Sequence, residues 1–408
     1  MRVGHGIDHL EIVAGEAMGG YADRLHGLSG VLDALEIHAV TFADGERRFA
    51  LIVADLVCVN GDVVERVRAA VRELGVDSCW VAATHTHAGP EAGCSPGGAP
   101  TPPELAERVV SAALRAAAAA LKGEGDATVH TERVQVPDLA SRRHLPEWRA
   151  IDIPVDVIVV SSAGRVAGAV VVSPVHPTVL PADNHHASAD LSGGIRRALR
   201  TDACWVVVAT GAAGDISTRH TRRGRDQHEI DRLGTLVATR LHPTVQPADA
   251  PRNASVVPAV STRVRLAAKR PEEAVVPDDV GVTDERGQSV LEQGRRIARD
   301  MMAGDHSDPY EIEVQAVGLD AVTLVAVPGE LFLELGEKVR AAAAAPGIDV
   351  VVIGYANGYL GYLPSRDTPT SYETLVSPVA EGSGELVVAA AIDAAGQIMN
   401  RRSRDGRV

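Results

Sequence analysis

Aromatic side chains are scarce in this 408-residue chain: three Phe, three Trp and six Tyr make up 3% of it. A globular core must then be built from alanine, valine and leucine, and a tyrosine in a loop calls for a reason other than core filling. Cysteine is scarce too. Cys58, Cys79, Cys94 and Cys204 show neither CxxC spacing nor a dense framework, which argues against a disulfide scaffold and reads as four reduced thiols. No window approaches 18 uninterrupted apolar residues; the alanine-rich run 109–121 is broken by Ser111 and Arg115 and reads as a buried helix. The N-terminal MRVGHGIDHLEIVAGEAMGG has no apolar stretch behind a basic start, so no secretory leader is expected, and the cytoplasm is the expected compartment. Positive charge is in the minority, 40 Lys and Arg against 54 Asp and Glu, for a formal net charge of −14. A field of that sign repels polyphosphate and anionic bilayers, so neither a nucleic-acid partner nor stable membrane association is expected.

What is present is ordinary for a folded enzyme: 45% hydrophobic and 23% charged residues, with 39 glycines. β-Branched runs at 35–42 and 48–58, joined by Ala-Asp-Gly-Glu, predict a hairpin. Residues 62–74 and 103–122 read as helices, with a strand at 78–87 between them. The middle repeats this pattern, with a hairpin at 155–160 and 166–175, an apolar strand at 203–210 and a helix at 229–241. After an alternating strand at 254–267 comes a charged stretch, 269–308, holding one helical segment at 289–302; it is expected to be a surface insertion or lid. A hairpin (311–317, 322–327), a helix after Glu330, a strand at 350–355 and a C-terminal helix at 384–400 complete the pattern. Strands and helices alternate with no linker, which predicts a single α/β domain over 1–408, with mixed sheets and flanking helices.

Chemistry gathers where the apolar strands end. Thr84-His85-Thr86-His87 places two imidazoles two residues apart at the end of a strand, so both are expected to point to the same face. Imidazole is the commonest protein ligand for zinc, although an isolated HxH is also found at solvated strand ends. His176 follows a second strand, ahead of the run Asp183-Asn184-His185-His186. Gly211-Ala212-Ala213-Gly214-Asp215-Ile216-Ser217 follows a third, as either an oxyanion-binding turn with a nucleophile or a tight turn with an N-cap serine. Glu330 follows a fourth, in Val-Pro-Gly-Glu, and Tyr359 and Tyr362 follow a fifth. Groups at strand ends of an α/β sheet share one cleft, and two imidazoles, a carboxylate and a phenolate would make a charge-neutralising set for Zn²⁺.

Together these segments resemble the neutral ceramidases. THTHAGP, HPT, GAAGDIS, VPGE and NGYLGY with the later Tyr372-Glu373 stand here in that family's order, from Gly20-Tyr21 to Gly382-Ser383-Gly384-Glu385. The resemblance is to a short form of the catalytic domain, without the C-terminal immunoglobulin-like domain. It implies one zinc per chain on His85, His176, Glu330 and Tyr362, with His87 as proton shuttle or substrate donor and Ser217 as nucleophile or transition-state partner. It also implies an active-site arginine in Ser141-Arg142-Arg143-His144-Leu145-Pro146, with Arg142 and Arg143 both candidates, and substrate contacts at Gly214, Asp215 and Tyr359. Tyr362 has a second implied role as a donor during turnover. Two departures stand out: Ala88 replaces a serine beside the His pair, and Thr218 replaces a proline after Ser217.

The activity implied is metal-assisted hydrolysis of an N-acyl amide, a reaction of lipid metabolism in that family. With so few aromatics and so negative a charge, the expected substrate is a soluble or short-chain small molecule rather than membrane ceramide. An ester or lactone hydrolase, an acyltransferase on the same zinc site, and a non-catalytic metal-binding protein are the alternatives.

Overall fold

Three sheets of the same construction enclose the centre of the molecule. The computed structural model describes all residues except 23, 145–149, 202–203, 243, 248–254, 271–272, 274–284, 304–307 and 405–408. The first sheet contains Arg2–His9, Glu36–Ala43, Arg48–Ala54 and Ser78–Ala83; the second contains Thr128–Arg142, Ala150–Ser162, Arg165–Ser173 and Trp205–Thr210; the third contains Val256–Leu266, Tyr310–Leu319, Val322–Ala326 and Asp349–Ile353. Within each, the first three strands pair antiparallel in chain order and the fourth joins the third in parallel. A parallel return needs a crossover, and each sheet has one that contains a helix: Gly61–Arg72, Asp190–Leu199 and Leu333–Ala343. Each fourth strand is followed by a further helix: Pro103–Lys122, Gln227–Leu241 and Ser383–Arg404.

The apolar runs of the strands follow from this layering. Val40, Phe42, Phe49, Leu51, Val53 and Trp80 face a central core shared by all three sheets, while their neighbours Ile37, Ala39, Ala50 and Ile52 face the outer helices. A strand buried on both faces reads as continuous hydrophobicity rather than alternation. Phe42, Phe49 and Trp80 lie in that centre, where Phe49 meets Trp80 edge-to-face at 5.2 Å. On the outside, the alanine face of Pro103–Lys122 lies so close to the first strand that a Cβ at Gly4 or Gly6 would stand 2.0 Å from a helix carbonyl oxygen. Small residues on both partners permit that approach.

The mixed α/β architecture matches the expectation. The predicted hairpins and the helix Pro103–Lys122 are present. Three longer elements among the described residues were not expected: Arg2–His9, Thr128–Arg142, and the helix Asp190–Leu199, which starts inside a run of His, Asn, Ser and Asp. The strand expected at 78–87 stops at Ala83, because His85 adopts a left-handed conformation, φ 64°. Much of the charged stretch 269–308 lies outside the described residues; its helix, Glu285–Ala303, packs Leu291 and Ala298 on Leu375. Lys269 is buried and donates to the carbonyls of Thr374 and Leu375.

The ends of the three fourth strands are tied to one another. Thr210 Oγ1 donates to Thr84 O at 2.7 Å, Gly354 N to Thr210 O at 2.9 Å, and Ala83 N to Tyr355 O at 3.0 Å. This closed set of cross-links brings segments from all three sheets to one point.

Candidate active site

At that point the first and second sheets each supply an imidazole and the third a carboxylate. His85 Nδ1 lies 2.6 Å from Val57 O, and His176 Nδ1 lies 2.7 Å from Ala213 O. A carbonyl only accepts, so each Nδ1 carries a hydrogen, and each ring turns its Nε2 inward. Both Nε2 atoms face Glu330: His176 Nε2 is 2.9 Å and His85 Nε2 3.4 Å from its Oε2. Tyr359 donates to Glu330 Oε1 at 2.6 Å and Tyr355 to Oε2 at 3.3 Å. The Tyr355 ring also stacks on His85 at 4.2 Å.

Burial and the neighbouring Arg143 push His176 down to about 4. Burial works against ionisation of Glu330, but His85 and His176 outweigh it and hold the carboxyl well below its usual range. An ionised, buried carboxylate with two inward-turned ring nitrogens is a donor set that suits a cation. The ring nitrogens of His85, His87 and His176 all lie within 4.8 Å of one another, so these residues can hold a metal ion.

His87 completes the imidazole group by a different route from the one strand alternation suggests. The chain has already left the sheet, and the left-handed turn at His85 sets the two rings edge-to-face, with their Nε2 atoms 3.2 Å apart. An N-terminal segment holds His87 from outside. Tyr21 meets its ring edge-on at 5.0 Å, Arg24 donates to its carbonyl at 2.8 Å, and Gly20 (φ 92°) packs so tightly that a Cβ would be 2.4 Å from His87 Cγ. Burial, with His85 and His176 next, lowers the His87 pKa well below its usual value, which keeps the ring neutral. Its Nδ1 is buried without a hydrogen-bond partner among the described residues.

The second sheet also contributes the turn that carries Ser217. Ser217 bridges in parallel to His176, and its Oγ accepts from Arg219 N at 3.3 Å, capping the short helix Thr218–His220. Of the two candidate arginines, Arg143 enters the cluster and Arg142 does not. Arg143 Nη2 lies 3.0 Å from His176 Nε2, donates to Tyr362 Oη at 2.8 Å and to Gly214 O at 3.1 Å, and Nε pairs with Glu373 at 2.9 Å. Arg142 instead donates to the Asp215 carboxylate at 3.0 Å, which also accepts from Leu333 N at 2.7 Å. Asp215 therefore ties the turn to the helix Leu333–Ala343, and the Gly214 N–H is engaged with Leu331 O at 2.9 Å. Leu145 and Pro146 lie outside the described residues. Burial holds the phenols of Tyr355, Tyr359 and Tyr362 well above the usual tyrosine range.

Two cavities meet over this cluster and share His87, Tyr362 and Tyr372 in their walls. The smaller, about 150 Å³, reaches His85 and Glu330 and is walled by Pro96, Ile297 and Val376. The larger, about 340 Å³, reaches Ser217 and Arg143. The helix Glu285–Ala303 contributes to both, through Ile297 on one side and Ser289 and Gln293 on the other. Sequence reasoning gave no role to Tyr355, which looked like the last residue of a strand, or to the arginines after Ser217, although Arg-His-Thr-Arg-Arg-Gly-Arg is visible at 219–225.

No protein-family model and no curated protein matches the chain. Solved structures do. One, described as a ceramidase complexed with C2, superposes with a TM-score of 0.77 at 18% identity, over 98% of this chain and 75% of that one. Another, neutral ceramidase from Pseudomonas aeruginosa, gives a TM-score of 0.75 at 18% identity, over 98% of this chain and 74% of that one. Across nearly its whole length, the chain has the fold of the neutral ceramidases.

Proposed function

We propose that this chain is a zinc-dependent hydrolase that cleaves the N-acyl bond of a linear amide, with a soluble or short-chain substrate. The observation that carries the reading is the placement of His85 Nε2 and His176 Nε2 against the Glu330 carboxylate, beside Ser217. The ceramidase fold supports an amide as the scissile group. Residues 1–408 are taken as one catalytic domain, since all three sheets share the central core, with the helix Glu285–Ala303 as part of a lid.

One zinc ion would be held by His85, His176, Glu330 and Tyr362. When bound it supplies Lewis acidity toward a carbonyl oxygen and lowers the pKa of a coordinated water towards ~7. The chain's own groups account for the rest. Ser217 Oγ attacks the acyl carbon, His87, held neutral, takes the serine proton and returns it to the departing amine, and a water molecule then cleaves the acyl-serine ester, releasing the acid and restoring the hydroxyl. Arg143 is the donor assigned to the developing oxyanion, in place of the Gly214 N–H, which is engaged with Leu331 O. Tyr359 holds Glu330 in place.

The test is to strip metal from the protein, restore Zn²⁺ stepwise, and follow release of amine from a panel of N-acetyl and N-hexanoyl amines. Activity should vanish with the metal and return at about one equivalent. Hydrolysis of matched esters but of no amide would replace this reading with the esterase alternative.

A further inference from the structure

Tyr355 stands where the backbone favours glycine. It lies two residues past the strand Asp349–Ile353, and its φ of 54° is in the left-handed region. A side chain that large is uncommon there, because its Cβ crowds the neighbouring carbonyl oxygen. A strained backbone kept under a large side chain, beside reactive groups, points to a role for that side chain. Its backbone ties down the segments that lead to two of the inward-turned groups. The N–H donates to Gly329 O at 3.2 Å, next to Glu330, and the carbonyl accepts from Ala83 N at 3.0 Å, two residues before His85.

The side chain reaches the groups themselves. Its ring lies on His85, with centroids 4.2 Å and planes 30° apart, and meets the ring of His176 edge-on at 6.2 Å. Its hydroxyl donates to Glu330 Oε2 at 3.3 Å, the oxygen that both Nε2 atoms face. Tyr359 takes the other oxygen, Oε1, at 2.6 Å. An imidazole held only through Nδ1 can tilt about that contact, and a carboxylate held only at one oxygen can swing about it. A ring on the face of His85 and a second donor on Glu330 oppose both motions. Tyr355 is fully buried and belongs to the wall of neither cavity, so it touches the metal-binding groups without meeting the space for substrate.

We propose that Tyr355 is a positioning residue of the metal centre: its ring sets the plane of His85, and its hydroxyl sets Glu330 Oε2. This rests on the reading of His85, His176 and Glu330 as metal ligands. Groups already held in place lose less freedom when an ion binds, so the ion is bound more tightly. Tyr355 acts through its neighbours and not on the substrate.

The experiment reads metal binding apart from turnover. Zinc affinity is measured by competition with a chelator, on wild-type, Tyr355→Phe and Tyr355→Leu proteins, beside the Tm of each metal-free protein. The visible spectrum of the Co²⁺-loaded proteins reports the ligand geometry. Tyr355→Phe keeps the ring and the backbone, so its metal-free Tm should stay near the wild type while zinc binds about threefold or more weaker. Tyr355→Leu also removes the ring and should bind about tenfold or more weaker, with Tyr355→Phe restoring part of that loss. The cobalt bands should shift in both. Wild-type affinity in both variants, or a lowered Tm with the cobalt bands unchanged, would overturn the proposal and leave Tyr355 as packing alone. Should neither variant fold, fluorotyrosine at position 355, a stronger donor of the same shape, should shift the cobalt bands, and unchanged bands would overturn the proposal. If affinity and bands change as expected and wild-type protein with zinc hydrolyses none of the N-acetyl and N-hexanoyl amines, the positioning role stands and the amide-hydrolase reading falls.

Discussion

His176 Nε2 stands 2.9 Å from Glu330 Oε2, while the other nitrogen of the same ring is tied to Ala213 O at 2.7 Å. The second contact gives meaning to the first. With the Nδ1 hydrogen committed to a carbonyl, the ring is fixed with Nε2 turned to the carboxylate, and His85 does the same from the other side. A site built this way prefers a cation.

Purified protein is accordingly expected to hold about one zinc ion, with ligand distances of ~2.0–2.2 Å. His176→Ala should lose most of that metal, since water replaces an anchored imidazole poorly. Elemental analysis checks this; metal content unchanged in the variant would remove His176 from the ligand set.

The two histidines of the Thr-His-Thr-His segment should separate by phenotype. His85→Ala is expected to lose both metal and activity. His87→Ala should keep metal and lose turnover, because its ring is placed to move a proton. Metal analysis beside kcat for the two variants distinguishes the roles, and exchanged phenotypes would reverse the assignment.

Ser217→Ala should retain zinc and melt close to the wild type, yet lose about 100-fold or more in kcat. The hydroxyl also caps the short helix Thr218–His220, so the competing outcome is a lowered Tm with near-native turnover, which would leave Ser217 as a cap alone.

Short N-acyl amides should be preferred over long-chain ceramide in vesicles. The two cavities are of limited volume, and the net charge of −14 disfavours anionic membranes. No helix among the described residues is long and apolar enough to cross a membrane. Comparing kcat/KM for matched chain lengths, with and without vesicles, checks this. A preference for vesicle-bound ceramide would reverse the substrate assignment.

Acid should destabilise the fold through His5, which stacks on Trp205 at 4.7 Å and lies 3.0 Å from His38. Burial, with the charge of His38 next, lowers its pKa from 6.5 to about 3. Between those values the unfolded chain binds a proton that the folded chain does not. Stability therefore falls as pH is lowered through that window. His5→Gln should show a shallower loss of Tm between neutral and acid pH; parallel Tm curves for the two proteins would exclude the His5 contribution.

Much of this protein was legible in its sequence because strand runs, hairpin turns and helix periodicity are local signals. The Ala-Asp-Gly-Glu turn and the alanine face of Pro103–Lys122 need no distant residue to be read. Candidate residues were visible as well, since His85, His176, Ser217, Glu330 and Tyr362 each follow an apolar run. Three things were not. The sequence shows no short repeat, yet three sheets are built alike, because topology is set by which strands pair rather than by which residues recur. The choice between Arg142 and Arg143 lay with tertiary contacts: neighbours on one strand end point to opposite sides, and only the site beyond decides which side matters. His85 and His87 meet through a left-handed turn that no alternation rule anticipates. Local chemistry dictated the elements and the reactive groups they carry. Only the closure of three strand ends on one another, through Thr84, Thr210 and Gly354, decided that groups up to 245 residues apart (His85 to Glu330) would face a single point.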